Sequence, residues 1–201
     1  MTEERKEHNK YQQKIFAMEV RVFCKSIPKE VQLRLQRIVD KVRLTKGERV
    51  LDVGTGTGVL IPYIRSYGVV DIVGCDLSSA MLAVGQERYQ NVIFWCGDVV
   101  DIPAGLGPFD VVFFNAVFGN VWDQRETLCR VSELLRKTGR ICISHPLGSR
   151  FVANLNQVDP GRTPNTLPDR DRLLETIRQL PFELIHFEDQ LDLYLAVLSV
   201  Y

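Results

Sequence analysis

Glycine stands at every second position in Leu51-Asp52-Val53-Gly54-Thr55-Gly56-Thr57-Gly58-Val59, directly behind the run Arg49–Val53. That run reads as a strand. The stretch that begins Gly58-Val59-Leu60-Ile61 reads as a helix over 58–67, with Gly68 as its stop. A strand, a glycine turn and a helix start bring bare backbone up to a bulky ligand at a helix N-terminus. Units of this kind build parallel sheets, so the turn constrains the whole fold.

The glycine spacing narrows the ligand. A dinucleotide-binding turn, G-x-G-x-x-G, would need its third glycine at position 59, where the chain has Val59. The pattern here is G-x-G-x-G, with Asp52 in the strand before it. It resembles the first motif of the class I S-adenosylmethionine-dependent methyltransferases.

The rest of the chain alternates in type. Strands are predicted at 69–76, 91–96, 109–116 and 140–144. Helices are predicted from a Ser78 or Ser79 cap to Tyr89 and from Asp123 to Lys137. A helix over 169–180 is stopped by Pro181. Strands at 182–188 and 191–200 then follow so closely that they must pair as an antiparallel hairpin. Alternation of this kind implies an α/β, doubly wound, Rossmann-like sheet. The closing hairpin resembles the seven-stranded class I methyltransferase sheet with its antiparallel last strand. The resemblance covers 46–201 as a catalytic core. Residues 1–45, with helices at 9–24 and 28–43, form a helical N-terminal cap, and the chain reads as a single domain. Residues 154–169, with Pro160-Gly161, Pro164 and Pro168, read as one long loop.

Charge excludes some partners. Lys+Arg and Asp+Glu number 25 each, so no global field draws in nucleic acid. No apolar run reaches the ~18 residues of a membrane-spanning helix. The charged start, residues 1–8, is no signal peptide, which points to a cytoplasmic protein. Five cysteines without a C-x-x-C pair read as buried thiols in a reducing compartment, and three scattered histidines suggest no metal site.

In a sheet of this kind the ligand lies across the carboxyl ends of the strands. The methyltransferase resemblance therefore implies S-adenosyl-L-methionine as cofactor, with S-adenosyl-L-homocysteine as product. It implies that Asp52, Gly54, Thr55, Gly56 and Gly58 hold the methionine part. Asp76 would accept from the ribose hydroxyls, with Leu77 packed against the nucleoside and Met81 either joining it or serving the core. Asp98 and Val99 would meet the adenine, and backbone at Asn115 or Ala116 would meet the ammonium. Phe118 would shape the acceptor pocket. Asn120 and His145 are the candidate catalytic residues, His145 as a base for an acceptor hydroxyl or as a positioning group. Each acid has a plain structural alternative. Asp52 could only orient the turn, Asp76 and Asp98 could cap the helices that follow, and His145 could brace a proline-fixed turn. Tyr11, Phe16 and Met18 of the cap would touch ligand or only pack.

The function implied is methyl transfer to a small-molecule acceptor by a monomer or homodimer, away from nucleic acid and membranes. A sulfonium donor needs little acid–base machinery, so the lack of a nucleophile–base cluster or a G-x-S-x-G motif is in keeping. Two other readings stay open: a cofactor-binding subunit that acts through a partner, and a nicotinamide-dependent oxidoreductase. Val59 and the terminal hairpin weigh against the oxidoreductase.

Overall fold

The computed structural model describes residues 2–201. Seven strands form one sheet: β1 (Arg49–Val53), β2 (Asp71–Asp76), β3 (Ile93–Cys96), β4 (Phe109–Asn115), β5 (Leu135–His145), β6 (Phe182–Gln190) and β7 (Leu193–Val200). Their order is β3-β2-β1-β4-β5-β7-β6. The first five run parallel, and β7 lies antiparallel between β5 and β6. This is the sheet expected, hairpin included.

The register levels the strand ends. Val53 lies beside Cys75 and Phe114, Asp76 beside Cys96, and Asn115 beside Ser144. The residues that leave β1, β2, β3, β4 and β5 therefore share one rim.

Apolar side chains alternate between two layers, which is why β4 reads as continuously apolar. Leu51, Val53, Val112, Phe114, Ile141 and Ile143 share one cluster with Leu128 and Val131 of α5 (Gln124–Leu134) and Leu173 of α7 (Arg170–Ile177). Val50, Val111, Phe113 and Cys142 share the other with Leu35, Ile38 and Val39 of α2 (Lys29–Val42) and Ile64 of α3 (Ile61–Arg65). Phe109, Phe113 and Phe114 are completely buried, each worth ~1.5–3 kcal/mol.

The differences from expectation have local causes. Helix α3 starts three residues late, because Gly54, Gly56 and Gly58 all have φ between +55° and +84°, outside the helical region. Residues 154–158, the first part of the expected loop, belong to helix α6 (Gly148–Val158), whose Phe151, Val152 and Leu155 share the apolar i, i+1, i+4 spacing. Strand β5 begins at Leu135 rather than 140, pairs there with Phe109, and reaches the Val111–Arg140 register after an irregularity. Helix α1 (Glu3–Phe23) begins well before residue 9, capped by the Thr2 side chain and started by Glu3 and Glu4 at its positive end. Its buried residues are Arg5, His8 and Gln12, so apolar periodicity could not report its first turns. Helix α4 (Ser79–Arg88) takes Ser78 as its cap. Only Cys75 and Cys142 are buried; the other three thiols are exposed, Cys24 at the end of α1, Cys96 at the end of β3 and Cys129 on α5. Among the described residues no helix is long and apolar enough to cross a membrane, and no group of three His, Cys, Asp or Glu could hold a metal.

Candidate active site

The glycine turn is tied to β2 by its own amides. Gly54 and Thr55 N–H both donate to the Cys75 carbonyl, at 2.8 and 3.1 Å. Gly56 N–H donates to Asp76 Oδ2 at 2.9 Å, and Ser78 N–H to Asp76 Oδ1 at 2.8 Å. Asp76 thus joins the turn to the start of α4, while Ser78 caps that helix by accepting from Met81 N–H. Each Asp76 oxygen keeps a lone pair for a ligand. Burial raises the Asp76 pKa, against the opposing pull of the amides of Ser78 and Gly56.

Two glycines are required for opposite reasons. A Cβ on Gly54, at φ +66°, would lie 2.4 Å from Val117, so that position is closed by packing. A Cβ on Gly56, at φ +55°, would meet no atom within 4 Å. That open space is a cradle which a side chain would fill.

Asp52 lies beneath the turn, buried, and its Oδ2 accepts from the Thr55 hydroxyl at 2.7 Å. Burial pushes its carboxyl up to about 7, moderated by that hydrogen bond. Asp98 is heavily engaged. Its Oδ2 accepts from Arg5 Nε (3.0 Å) and Asn9 Nδ2 (2.9 Å), and its Oδ1 caps the short turn Val99–Asp101 through Val100 N–H. The capping role left open for Asp98 is thus present, with one lone pair to spare. Arg5, 5% exposed, also reaches Asp101 at 3.1 Å and Glu126 at 3.4 Å.

A cavity of about 770 Å³ opens above the shared rim. Its wall contains Asp52, Gly54, Thr55, Gly56, Asp76, Leu77, Asp98, Val99, Asn115, Ala116, Asn120 and His145, with Met81 beside them. Ala116, at the end of β4, is held at φ +58° while its N–H donates to the Ser144 carbonyl. For a residue with a Cβ this costs ~1–2 kcal/mol, strain of the kind that collects at functional sites.

Several expectations need correction. Gly58 is not in the wall. A Cβ there would strike Tyr89 and Ile61, at 2.5 and 2.8 Å, so it serves packing. Phe118 is buried edge-on against Phe114, 5.5 Å between centroids, and shapes no pocket. Of the cap residues, Phe16 is in the wall, Met18 is 76% exposed, and Tyr11 bonds Asp159. The Asn120 Nδ2 is engaged in structure, donating to the Arg162 carbonyl at 2.9 Å, and the main-chain carbonyl of Asn120 accepts from His8 Nε2 at 2.9 Å.

His145 is also different from a base. Leu147 N–H donates to Nδ1 at 3.2 Å, so the neutral ring carries its proton on Nε2. Burial lowers its pKa to about 4, and the ring packs on Phe151 at 5.3 Å. What it offers the cavity is an N–H donor.

Sequence reasoning missed the inner face of α1 apart from Phe16. His8, Asn9, Gln12, Phe16 and Glu19 all reach the wall, at helical spacing. Glu19 holds Arg162 through two contacts of 2.9 and 2.8 Å, and Gln12 Nε2 donates to the Arg162 carbonyl. The spacing 5, 8, 9, 12, 16, 19 was visible, but as a polar and aromatic stripe rather than an apolar one.

Comparison with known proteins bears on the fold and the class of chemistry. A family profile described as a methyltransferase domain matches residues 50–139. A demethylmenaquinone methyltransferase of Paenarthrobacter aurescens is 33% identical over 113 residues, covering 55% of this chain and 44% of that protein. The chain spans about half the length of the first such relatives. An O-methyltransferase of Aspergillus nomiae is 27% identical over 175 residues, 79% of this chain and 75% of that one. The structure of magnesium protoporphyrin IX methyltransferase from Synechocystis, with bound SAH, superposes with TM-score 0.71 at 15% identity, over 96% of this chain and 100% of the other.

The sheet order and the antiparallel last strands define the class I methyltransferase fold. The profile match, over residues 50–139, makes that part of the chain similar to a methyltransferase domain, and with the fold it points to S-adenosylmethionine as cofactor. The residues present fit that cofactor: an open cradle over Gly56, and Asp76 with unused lone pairs beside it.

Proposed function

We propose that this protein transfers the methyl group of S-adenosyl-L-methionine to a small-molecule acceptor, the whole chain working as one unit. The carrying observation is a single cavity with two unlike ends. One end has the glycine turn, Asp52, Asp76 and Asp98. The other, past the end of β4, has Val121, Pro146, Leu147, Phe151 and Leu155. The first suits a charged nucleoside cofactor and the second an apolar acceptor.

When bound, the cofactor supplies an activated methyl group and a neutral sulfur leaving group. The chain's share is positioning and exclusion of water. Asp76 orients the ribose, and Gly54 and Gly56 let the main chain come close. Asp52, ionised by a neighbouring cation, holds the ammonium. Helix α1, pinned by Arg5 and Glu19, closes one side.

Titration calorimetry with S-adenosylmethionine tests the reading, followed by transfer of labelled methyl into a metabolite extract. Micromolar binding and a labelled small product are expected. Lack of binding, or tight binding of a nicotinamide dinucleotide instead, refutes it.

A further inference from the structure

Two histidines belong to the cavity wall, and they are oppositely wired. The His145 lone pair is taken, because Nδ1 accepts from Leu147 N–H and the proton is left on Nε2. His8, on the second turn of α1, is the reverse. Its Nε2 lies 2.9 Å from the Asn120 main-chain carbonyl, an oxygen that can only accept, so the neutral ring carries its proton there. The lone pair is then on Nδ1. Among the described residues nothing donates to that nitrogen, and it is not one of the unpartnered polar atoms sealed away from solvent.

The neighbours of His8 put it at the acceptor end. Asn120 takes its Nε2–H, and the Trp122 ring lies 5.5 Å from the His8 ring between centroids. These two residues flank Val121 of the apolar end. Burial lowers the His8 pKa, against the opposing pull of the Asn120 carbonyl, the Asp98 charge and the Gly161 carbonyl. The ring is therefore neutral in neutral water and keeps its lone pair. The same three groups favour the imidazolium once a proton arrives. The carboxylates of the wall are otherwise employed. Both oxygens of Glu19 are held by Arg162, Asp98 holds Arg5 and Asn9, and Asp52 and Asp76 are bonded to the glycine turn.

We infer that His8 is the general base of the transfer, taking on Nδ1 the proton of a hydroxyl on an apolar acceptor, with the Asn120 carbonyl as the group that orients the ring. This rests on the methyltransferase reading above. A lone pair of the hydroxyl oxygen forms the new O–C bond, the C–S bond of the donor breaks, and its electron pair stays on sulfur. The hydroxyl proton goes to Nδ1. One positive charge enters on the sulfonium and one remains on the imidazolium, which then releases its proton to water. Helix α1 thus supplies a reacting group as well as a wall.

The test uses the full chain, saturating labelled S-adenosylmethionine and two phenols of similar size in neutral buffer. 2-Chloro-4-methylphenol is protonated there and needs a base. 2-Chloro-4-nitrophenol is already an anion and needs none. His8→Gln can keep the bond to the Asn120 carbonyl through its amide but cannot take the proton. The ratio of the methylphenol rate to the nitrophenol rate is expected to fall at least 10-fold in this variant, since a positioned base contributes about 10²-fold or more. Nitrogen-15 spectra of the wild-type histidines are expected to show Nε2–H and a bare Nδ1 at His8, with the Nδ1 signal moving when the methylphenol is added beside S-adenosylhomocysteine. A ratio that stays the same because both phenols slow together, an Nδ1–H tautomer at His8, an Nδ1 signal indifferent to the phenol, or inertness of either phenol with protein that binds the cofactor overturns the inference. Failure to bind the cofactor at all refutes the methyltransferase reading instead.

Discussion

Replacing Asp52 by asparagine tests the most unusual electrostatic feature of the site. Asp52 is 2% exposed, and among the described residues its only hydrogen-bond donor is the Thr55 hydroxyl. Burial moves its pKa from the ordinary 3.8 to about 7. In the unfolded chain the carboxyl ionises near its ordinary value, whereas the folded protein keeps the proton to about pH 7. The unfolded state therefore binds fewer protons between about pH 4 and pH 7, and this group makes the protein progressively less stable across that window. The full displacement corresponds to ~4 kcal/mol, complete above pH 7. The asparagine side chain of Asp52→Asn keeps the Thr55 bond and has nothing to ionise. Urea unfolding of both proteins should give similar stabilities near pH 4, with the variant gaining up to ~4 kcal/mol by pH 8. Cofactor binding should move the other way. A cation beside Asp52 requires the ionised form, so wild-type affinity should fall about 10-fold from pH 8 to pH 6, and the variant's should be weak and flat. Parallel stability curves for the two proteins would show that Asp52 titrates normally and that the burial argument is wrong.

Three further outcomes are expected. Gly56→Val should abolish cofactor binding by calorimetry while circular dichroism stays native, at a stability cost from the positive φ alone; Gly54→Val should lose more stability, because it also strikes Val117. Asp76→Ala should weaken cofactor affinity by about 10-fold or more, because it removes hydrogen bonds to a charged group worth ~1.5–3 kcal/mol, and unchanged affinity would deny its ribose role. Arg5→Met should leave Asp98, Asp101 and Glu126 without their shared cation. Amides of α1 would then lose hydrogen-exchange protection while those of β1 and β4 keep theirs; equal protection along α1 in both proteins would contradict the clamp.

The sheet was largely legible because burial on both faces writes itself as apolar runs, as in Phe109–Phe114, and because strands as close as 182–188 and 191–200 have only one way to pair. The glycine turn was legible too, since a positive-φ turn demands glycine and leaves a mark at Gly54 and Gly56. Other elements left no such mark. Arg5 and Asp98 meet across 93 positions of chain, and nothing local announces the pairing. Helix α6 was hidden by its neighbours Pro160 and Gly161, which made the stretch around them look irregular. His145 was visible as a histidine at a strand end, but its chemistry depends on which nitrogen the Leu147 amide reaches, a matter of ångströms that residue spacing does not carry.

The inner face of α1 meets its side of the cavity largely with a guanidinium, amides and carboxylates, with Phe16 among them. Water can replace such contacts almost one for one, whereas an apolar seam resists wetting. Lifting a helix held in this way would cost less than opening an apolar seam, and it would leave undisturbed the greasy interior that keeps the sheet together.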